Sequence, residues 1–531
     1  MVRSCLAMLL AVMLVAGQAN ASVKKKDTIE SLEKKTVEVR PGKIILDSSE
    51  LAREGYRDFL DLVSNDPVLR AEAMRRLGDL ELEASEADQL TENIESLDTR
   101  GFDNAVELYQ KLLEAYPDYR RNDTVLYQLA RAYEVGGRTD EALPVLNQLV
   151  TSYPNTVFID EVQFRRGEML FLRKNYNDAE MAYKEVVDYG EASRFYEQSL
   201  YKLGWSQFKL AWYEDSLSPF FELLDRKLVG VEVGEGEQRL VTMKRAEREL
   251  IEDTFRVLSI SFSYMEGADS IDTFLSKREL PEYAHVIYDN LGDLYLEQER
   301  YQDAAETYEA FVDQDPYHPK APVLQVQVIE SYKQGGFPSL VLEGKKRFAD
   351  RYGMDGPFWI RNPREENEAV AEYLKSNLTD LAQYYHAEAQ RDGTKSDYLQ
   401  AADWYRKYLA YFPGEADTAN TNFLLAEILY ESEEYGAAVS EYERTAYGYP
   451  FHEKSAEAGY AAILAYREHE KLLSGSEQAE WHQGYLDSGL RFADTYPEHP
   501  ESGAVLTTVA EDLFRQNRFD LAIEVGQSVV G

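Results

Sequence analysis

Cysteine is almost missing from this 531-residue sequence: the single one is Cys5, close to the amino terminus. A lone cysteine excludes an intrachain disulfide and a cysteine-based metal site, so a chain of this length must hold together by packing. Basic residues are scarce as well. Lys+Arg number 57 against 96 Asp+Glu, a formal charge of −39, and so acidic a surface repels nucleic acid and anionic lipid headgroups. Histidines number only 7. No two of His285, His318, His386, His452, His469, His482 and His499 make an H-E-x-x-H motif. The nearest grouping, Glu468-His469-Glu470 with His482, reads as a solvated polar loop between helices rather than a zinc site. There is no G-x-S-x-G elbow, Walker A loop or Rossmann fingerprint, and the glycines of VGEGE (233–237) are interleaved with Glu. No cofactor or catalytic group is therefore expected, and the chain reads as a non-enzyme.

Long apolar runs are absent too, with one exception. In MVRSCLAMLLAVMLVAGQANAS an Arg precedes an apolar run from Cys5 to Ala16, and Ala19-Asn20-Ala21 supplies a small-x-small pattern. That is the layout of a secretory signal peptide, too short for a stable span, with cleavage expected after Ala21. Ser22 rather than a cysteine follows the junction, so the expected product is exported and is not a lipoprotein. After signal removal no transmembrane span is expected.

Disorder, the other meaning of an acidic chain, is excluded by what is abundant: an aromatic content of 12%, with 38 Tyr. Residues 22–47 read as a flexible leader with one short extended piece around Val37–Ile45; helical periodicity takes over from about Leu60. The order of that periodicity is a repeat. FDNAVELYQKLLEAYP (102–117), YQDAAETYEAFVDQDP (301–316), YLQAADWYRKYLAYFP (398–413) and YGAAVSEYERTAYGYP (435–450) place aromatic, Ala, Tyr and Pro in one register. Segments 139–154, 176–191 and 213–228 are weaker copies. Upstream lies a partner segment with a small residue twelve positions earlier, as Gly167 before Ala179, Gly292 before Ala304 and Ala426 before Ala438. The physical reading is a pair of antiparallel helices: small residues let the backbones approach, large ones fill the adjoining groove, and Pro ends the second helix.

This pattern resembles the tetratricopeptide repeat (TPR), W-x2-L-G-x2-Y, then A-x3-F, then P. The resemblance implies an all-α, right-handed superhelical TPR solenoid of about ten helix pairs, some irregular. The expected organisation is a signal peptide (1–21), a leader (22–59), a first TPR block (60–228), an irregular helical insertion (229–280), a second TPR block (281–355) and a third (356–531). The Gly/Pro-rich stretch 352–367 marks the last of these boundaries. Segment 82–99 and the residues around AEAQRDGT read as extensions of the repeat. The last copy stops before its Pro position, so either a longer protein or a partner covering that end is expected. The 37-residue spacing, from Pro117 to Pro154 or Pro413 to Pro450, and the export signal look like periplasmic TPR proteins of Gram-negative bacteria. Their repeats are those of the outer-membrane assembly lipoprotein and Tol-Pal coordinator type.

In such arrays first helices line the concave groove. The positions three before and one after each small residue are then the candidate binding residues: Tyr127 and Arg131, Phe164 and Glu168, Tyr201 and Trp205, Asp289 and Asp293, Phe423 and Glu427. The resemblance implies a scaffold that binds envelope proteins or peptide segments, in an outer-membrane or cell-wall complex. Related domains clamp the carboxylate tail of cytosolic chaperones with Lys, Asn and Arg at these positions; here the first three repeats have Tyr/Arg, Phe/Glu and Tyr/Trp, so that role would lack its donors. Two other readings share the same features. The chain could be the non-catalytic solenoid part of a larger peptidoglycan-acting enzyme, or its aromatics could bind cell-wall glycan.

Overall fold

The computed structural model describes residues 48–62, 66–91, 100–228 and 243–530. The expected signal peptide, the extended piece around Val37–Ile45 and the VGEGE loop lie outside the described residues. Among the described residues all regular structure is helical, 24 α-helices with one short 3-10 turn at Arg364–Glu366. None of these helices is long and apolar enough to cross a membrane. The chain divides into two compact units between Thr156 and Val157.

The first unit holds α1 (Ser48–Leu62), α2 (Pro67–Thr91), α3 (Arg100–Ala115), α4 (Asn122–Val135) and α5 (Thr139–Ser152), each packed on the next. Helix α1 occupies sequence expected to be leader. It buries no residue and docks through charge: Arg53 and Arg57 both pair with Glu81 of α2, which is itself only 4% exposed. The long α2 spans part of the extension expected at 82–99.

The second unit begins with the pairs α6 (Ile159–Leu172) and α7 (Tyr176–Tyr189), then α8 (Tyr196–Lys209) and α9 (Tyr213–Leu228). Next come α10 (Arg245–Ser263) and the short α11 (Ala268–Leu275), then α12 (Ala284–Glu297) with α13 (Tyr301–Gln314) and α14 (Ala321–Gln334) with α15 (Pro338–Arg351). A single turn, α16 (Phe358–Arg361), leads to α17 (Glu368–Asp392) and α18 (Lys395–Tyr411), then α19 (Thr418–Glu431) and α20 (Tyr435–Tyr447). The unit closes with α21 (Ser455–Glu470), α22 (Gly475–Thr495), α23 (Ser502–Arg515) and α24 (Phe519–Val530). Packing runs from each long helix to the next, which is the one-dimensional contact pattern of a repeat stack.

Residues 245–275, expected as an irregular insertion, are a helix pair in the repeat register. Phe255, Leu258, Ser259 and Phe262 of α10 are all buried, and Ile271 of α11 lies twelve residues after Ser259 and is fully buried. The pair departs from the others in its second helix, which has 8 residues. The Gly/Pro-rich stretch 352–367 turns the chain without interrupting the core: Tyr352 and Phe358 are fully buried in the same apolar cluster that runs from Leu217 to Val525.

Close approach is what the small residues are for. A Cβ on Gly167 would sit 2.6 Å from the ring of Tyr183, and one on Gly204 would sit 2.7 Å from that of Phe220. The same contact joins Gly78 to Tyr109 and Gly292 to Tyr308. Second helices stop just short of their prolines, α3 at Ala115 before Pro117 and α18 at Tyr411 before Pro413, because the residue preceding Pro is pushed out of the helical region. Between the helices of a pair the turn puts one residue in the left-handed region. That residue is glycine at 137, 267, 336, 393 and 475, but Lys174, Ala211, Glu299, Glu433 or Asn517 in the other pairs.

Gly167→Ala should therefore lower stability by about 1–3 kcal/mol through overpacking against Tyr183. Gly503→Ala, where nothing lies within 4 Å of the added carbon, should be neutral or slightly stabilising in its helix. Thermal melts of the two variants check this; equal midpoints would remove the close-approach argument.

Candidate functional site

The ring that presses on each small residue also reaches past it. The Tyr308 hydroxyl donates to Asp293 Oδ1 at 2.7 Å, that of Tyr183 to Glu168 Oε1 at 2.6 Å, and that of Tyr109 to Asp79 Oδ1 at 2.9 Å. Tyr442 donates to Glu427 in the same way. In each case the acceptor follows the small residue by one position, which is a candidate groove position. Burial, reinforced by the neighbouring carboxylate, raises the pKa of each of these phenols far above its ordinary value, so they remain proton donors. Where Phe220 or Leu146 takes the ring position, the residue after the small one is not acidic: Trp205 follows Gly204, and Arg131 follows Ala130.

The candidate groove residues thus differ in what they are tied to. In the first unit Tyr127 is half-buried and Arg131 pairs with Glu86 at 2.7 Å. In the second unit Phe164 stacks on Phe195 with centroids 4.7 Å apart, and Glu168 adds Lys202 to its Tyr183 bond. Phe423 is buried edge-on against Tyr442. Asp289 is half-buried, while Asp293 remains exposed despite its bond to Tyr308.

Tyr201 and Trp205 are brought together. Their rings meet edge to face at 6.4 Å, and the Tyr201 hydroxyl and Trp205 Nε1 both donate to Asp253 Oδ2, at 2.5 and 3.2 Å. Burial and the bond to Asp253 push the Tyr201 phenol up to about 12. Lys209 and Arg256 flank the indole at 5.2 and 5.7 Å from ring centroids. Asp253 lies on α10, in the segment the repeat pattern did not cover, and no sequence signal joined it to α8.

A second feature of the same unit is a cleft of about 780 Å³ between α14, α15 and α17. It opens where the ring contact lapses. Thirty-seven residues beyond Gly292 and Tyr308 stand Ile329 and Lys345, so the glycine has become a branched side chain and the ring a lysine. Ile329 presses instead on Gly344, where a Cβ would lie 2.9 Å from its Cγ1. Lys345 turns to Asp380 of α17, leaving the place of the ring open. Tyr373, pushed up to about 12 by burial, and Tyr384, 44% exposed, stand along the α17 wall. Asn377 in that wall is 2% exposed, and its Nδ2 has no hydrogen-bond partner. The sequence signal for this cleft was the double departure at 329 and 345.

No group of three or more His, Cys, Asp or Glu that could hold a metal occurs among the described residues. Glu470 and His482, expected in a solvated loop, sit on α21 and α22 and pair at 3.1 Å, while His469 packs edge-on against Trp481 at 4.2 Å. Two long helices bring them together, which the spacing alone did not reveal.

Residues 99–157 and 264–321 each match a tetratricopeptide repeat family model. No curated protein matches the sequence. Among solved structures, a tetratricopeptide repeat protein from Parabacteroides merdae is similar at 15% identity and a TM-score of 0.25, covering 56% of this chain and 98% of its own. The C-terminal part of a TPR repeat-containing protein from Cytophaga hutchinsonii gives 13% identity and a TM-score of 0.22, with coverages of 56% and 98%. Likenesses of that degree carry no argument about partners.

The ring–carboxylate contact has a pH consequence. Burial raises the Glu427 carboxyl pKa, outweighing the lowering from the Tyr442 bond. A carboxyl raised on folding contributes stability that is fully present below its unfolded pKa and lost as pH rises through the folded one. Glu427→Gln keeps an acceptor for Tyr442 and removes the charge. It should raise the melting temperature at about pH 7.5 and leave it unchanged near pH 4, below the ordinary carboxylate range. A gain larger at the acid end would contradict the assignment.

Proposed function

We propose that this chain, a carrier of tetratricopeptide repeats, is a non-enzymatic protein–protein interaction scaffold of a Gram-negative periplasm. It binds envelope proteins, or peptide segments of them, along the first helices of its repeats. The observation that carries the reading is the Tyr201–Trp205 pair. Two large, half-exposed rings one turn apart are held by a single carboxylate, so their presented face is set before a partner arrives. Preorganised aromatic side chains lose little entropy on binding, and Tyr and Trp are the residue types in which binding energy concentrates.

The repeats support protein binding in general; the export pattern at residues 1–21 supports the periplasm; the likeness of the repeat spacing to outer-membrane assembly and Tol-Pal coordinator repeats supports an envelope complex. The acidic surface favours partners with basic segments.

Crosslinking of intact cells followed by recovery of the full chain tests this. Tyr201→Ala/Trp205→Ala should lower recovery of the partner by about tenfold or more, the effect of losing a binding hot spot. Unchanged recovery would count against the α8 surface. Osmotic-shock fractionation should release the processed chain with periplasmic markers; a cytosolic chain retaining residues 1–21 would end the periplasmic reading.

A further inference from the structure

The geometry points to the α14–α15–α17 cleft as a binding site for a peptide segment that inserts one large apolar side chain beside a main-chain carbonyl. This inference rests on the scaffold reading and names a second, separate contact surface for it. Its size, about 780 Å³, falls within the range of pre-formed ligand sites, which are mostly apolar with a few placed polar groups.

Three observations select the occupant. The first is the missing ring. In the pairs of Gly78, Gly167, Gly292 and Ala426 a phenol fills the space between the first helix and the second helix paired with it. Here Ile329 and Val341 line that space, and Lys345 has left it for Asp380. An apolar side chain from outside can take the position a tyrosine takes in those four pairs. The second is the orphan amide. Asn377 lines the cleft almost fully buried with Nδ2 unpartnered, and a buried donor without an acceptor is costly. Once the Asn377 amide turns toward the cleft, a main-chain carbonyl carried next to the inserted side chain accepts from it. The third is charge. Lys345 pairs with Asp380 and Lys333 with Glu330, so the cleft itself offers no net charge to a charged side chain. The chain around it carries −39, which favours basic residues flanking the inserted one.

The Gly-and-Tyr arrangement of the other repeats supplies the decisive variant. Ile329→Gly/Lys345→Tyr rewrites this pair to the pattern of Gly292 and Tyr308, with Glu330 already in place as acceptor for the new hydroxyl. The variant fills the cleft with a native-type contact, so it should keep its helical circular dichroism and melting temperature.

The experiment titrates the full chain into end-capped, fluorescein-labelled nonapeptides with Lys/Ser flanks and Leu, Phe, Ala or Asp at the centre, read by anisotropy. Leu and Phe peptides should bind about tenfold or more tighter than Ala and Asp peptides, as expected for filling an apolar pocket. Ile329→Gly/Lys345→Tyr should abolish that preference. Asn377→Ala should weaken the Leu peptide about threefold or more while leaving the melting temperature equal or higher, since it removes an unsatisfied donor; a purely structural asparagine would lower the melting temperature instead. Tyr201→Ala/Trp205→Ala should leave these affinities unchanged. Binding that ignores the central residue, or survives Ile329→Gly/Lys345→Tyr, overturns the proposal. So does loss of binding in the α8 variant, which would move the site to that surface. Failure of partner recovery in cells would strike the scaffold reading alone, because the peptide titration uses purified chain.

Discussion

An aromatic ring lying on a helix face that has no side chain sets the spacing of this protein. The contact of Tyr183 on Gly167, repeated by Tyr308 on Gly292 and Phe220 on Gly204, brings two backbones closer than any pair of ordinary side chains would allow. Dense packing of this kind has little tolerance for an added carbon. It also explains why tyrosine rather than phenylalanine is usual at the ring position. The hydroxyl emerges past the edge of the first helix, where a carboxylate one residue beyond the glycine accepts its proton. Seven tyrosines are among the largest fully buried side chains, Tyr288 and Tyr408 with them, and these two also donate to aspartates, Asp272 and Asp417. Part of the acidic excess is thus an internal requirement of burying phenols.

Core and surface are coupled by that geometry. Glu168, Asp293 and Glu427 occupy positions that would face a partner, yet each is engaged by a ring from the helix behind it. A change of ring alters what the surface can present: with Phe220 the neighbouring position is free to be Trp205, and with Leu146 it is Arg131. At the α8 surface and in the α14–α15–α17 cleft the phenol–carboxylate contact is missing. In one the surface residue is released, and in the other the core space is.

Much of this was legible in the sequence because the constraint is local. Ala105/Tyr109/Pro117 and Ala304/Tyr308/Pro316 report a helix pair wherever they occur, and the pairing of Gly167 with Ala179 follows from their separation. What escaped did so for identifiable reasons. Helix α1 spaces Ala52, Tyr56, Phe59 and Leu60 as an apolar stripe yet buries none of its residues; its attachment is an ion-pair docking of Arg53 and Arg57 on Glu81. The α10–α11 pair uses Ser259 and Ile271 where Gly and Ala are usual, and its second helix is cut short. The partnership of Asp253 with Tyr201 and Trp205 joins residues about fifty positions apart, which periodicity cannot connect. Ile329 and Lys345 were visible only as departures, and a departure from a pattern does not by itself say whether it leaves a filled core or a cleft.

The turns inside the helix pairs follow a different logic from the helices they join. Glycine is the residue suited to the left-handed conformation those turns adopt, and positions 137, 267, 336, 393 and 475 have it, whereas Lys174, Ala211, Glu299, Glu433 and Asn517 adopt it without that freedom. A side-chain-bearing residue there costs roughly 1–2 kcal/mol, so the turn geometry is imposed by the docked helices and not chosen by the turn. Each such turn is a small loaded spring across its pair. Its tension is released when the pair separates, which lowers the free energy of local opening at those pairs and makes the stack unevenly compliant along its length.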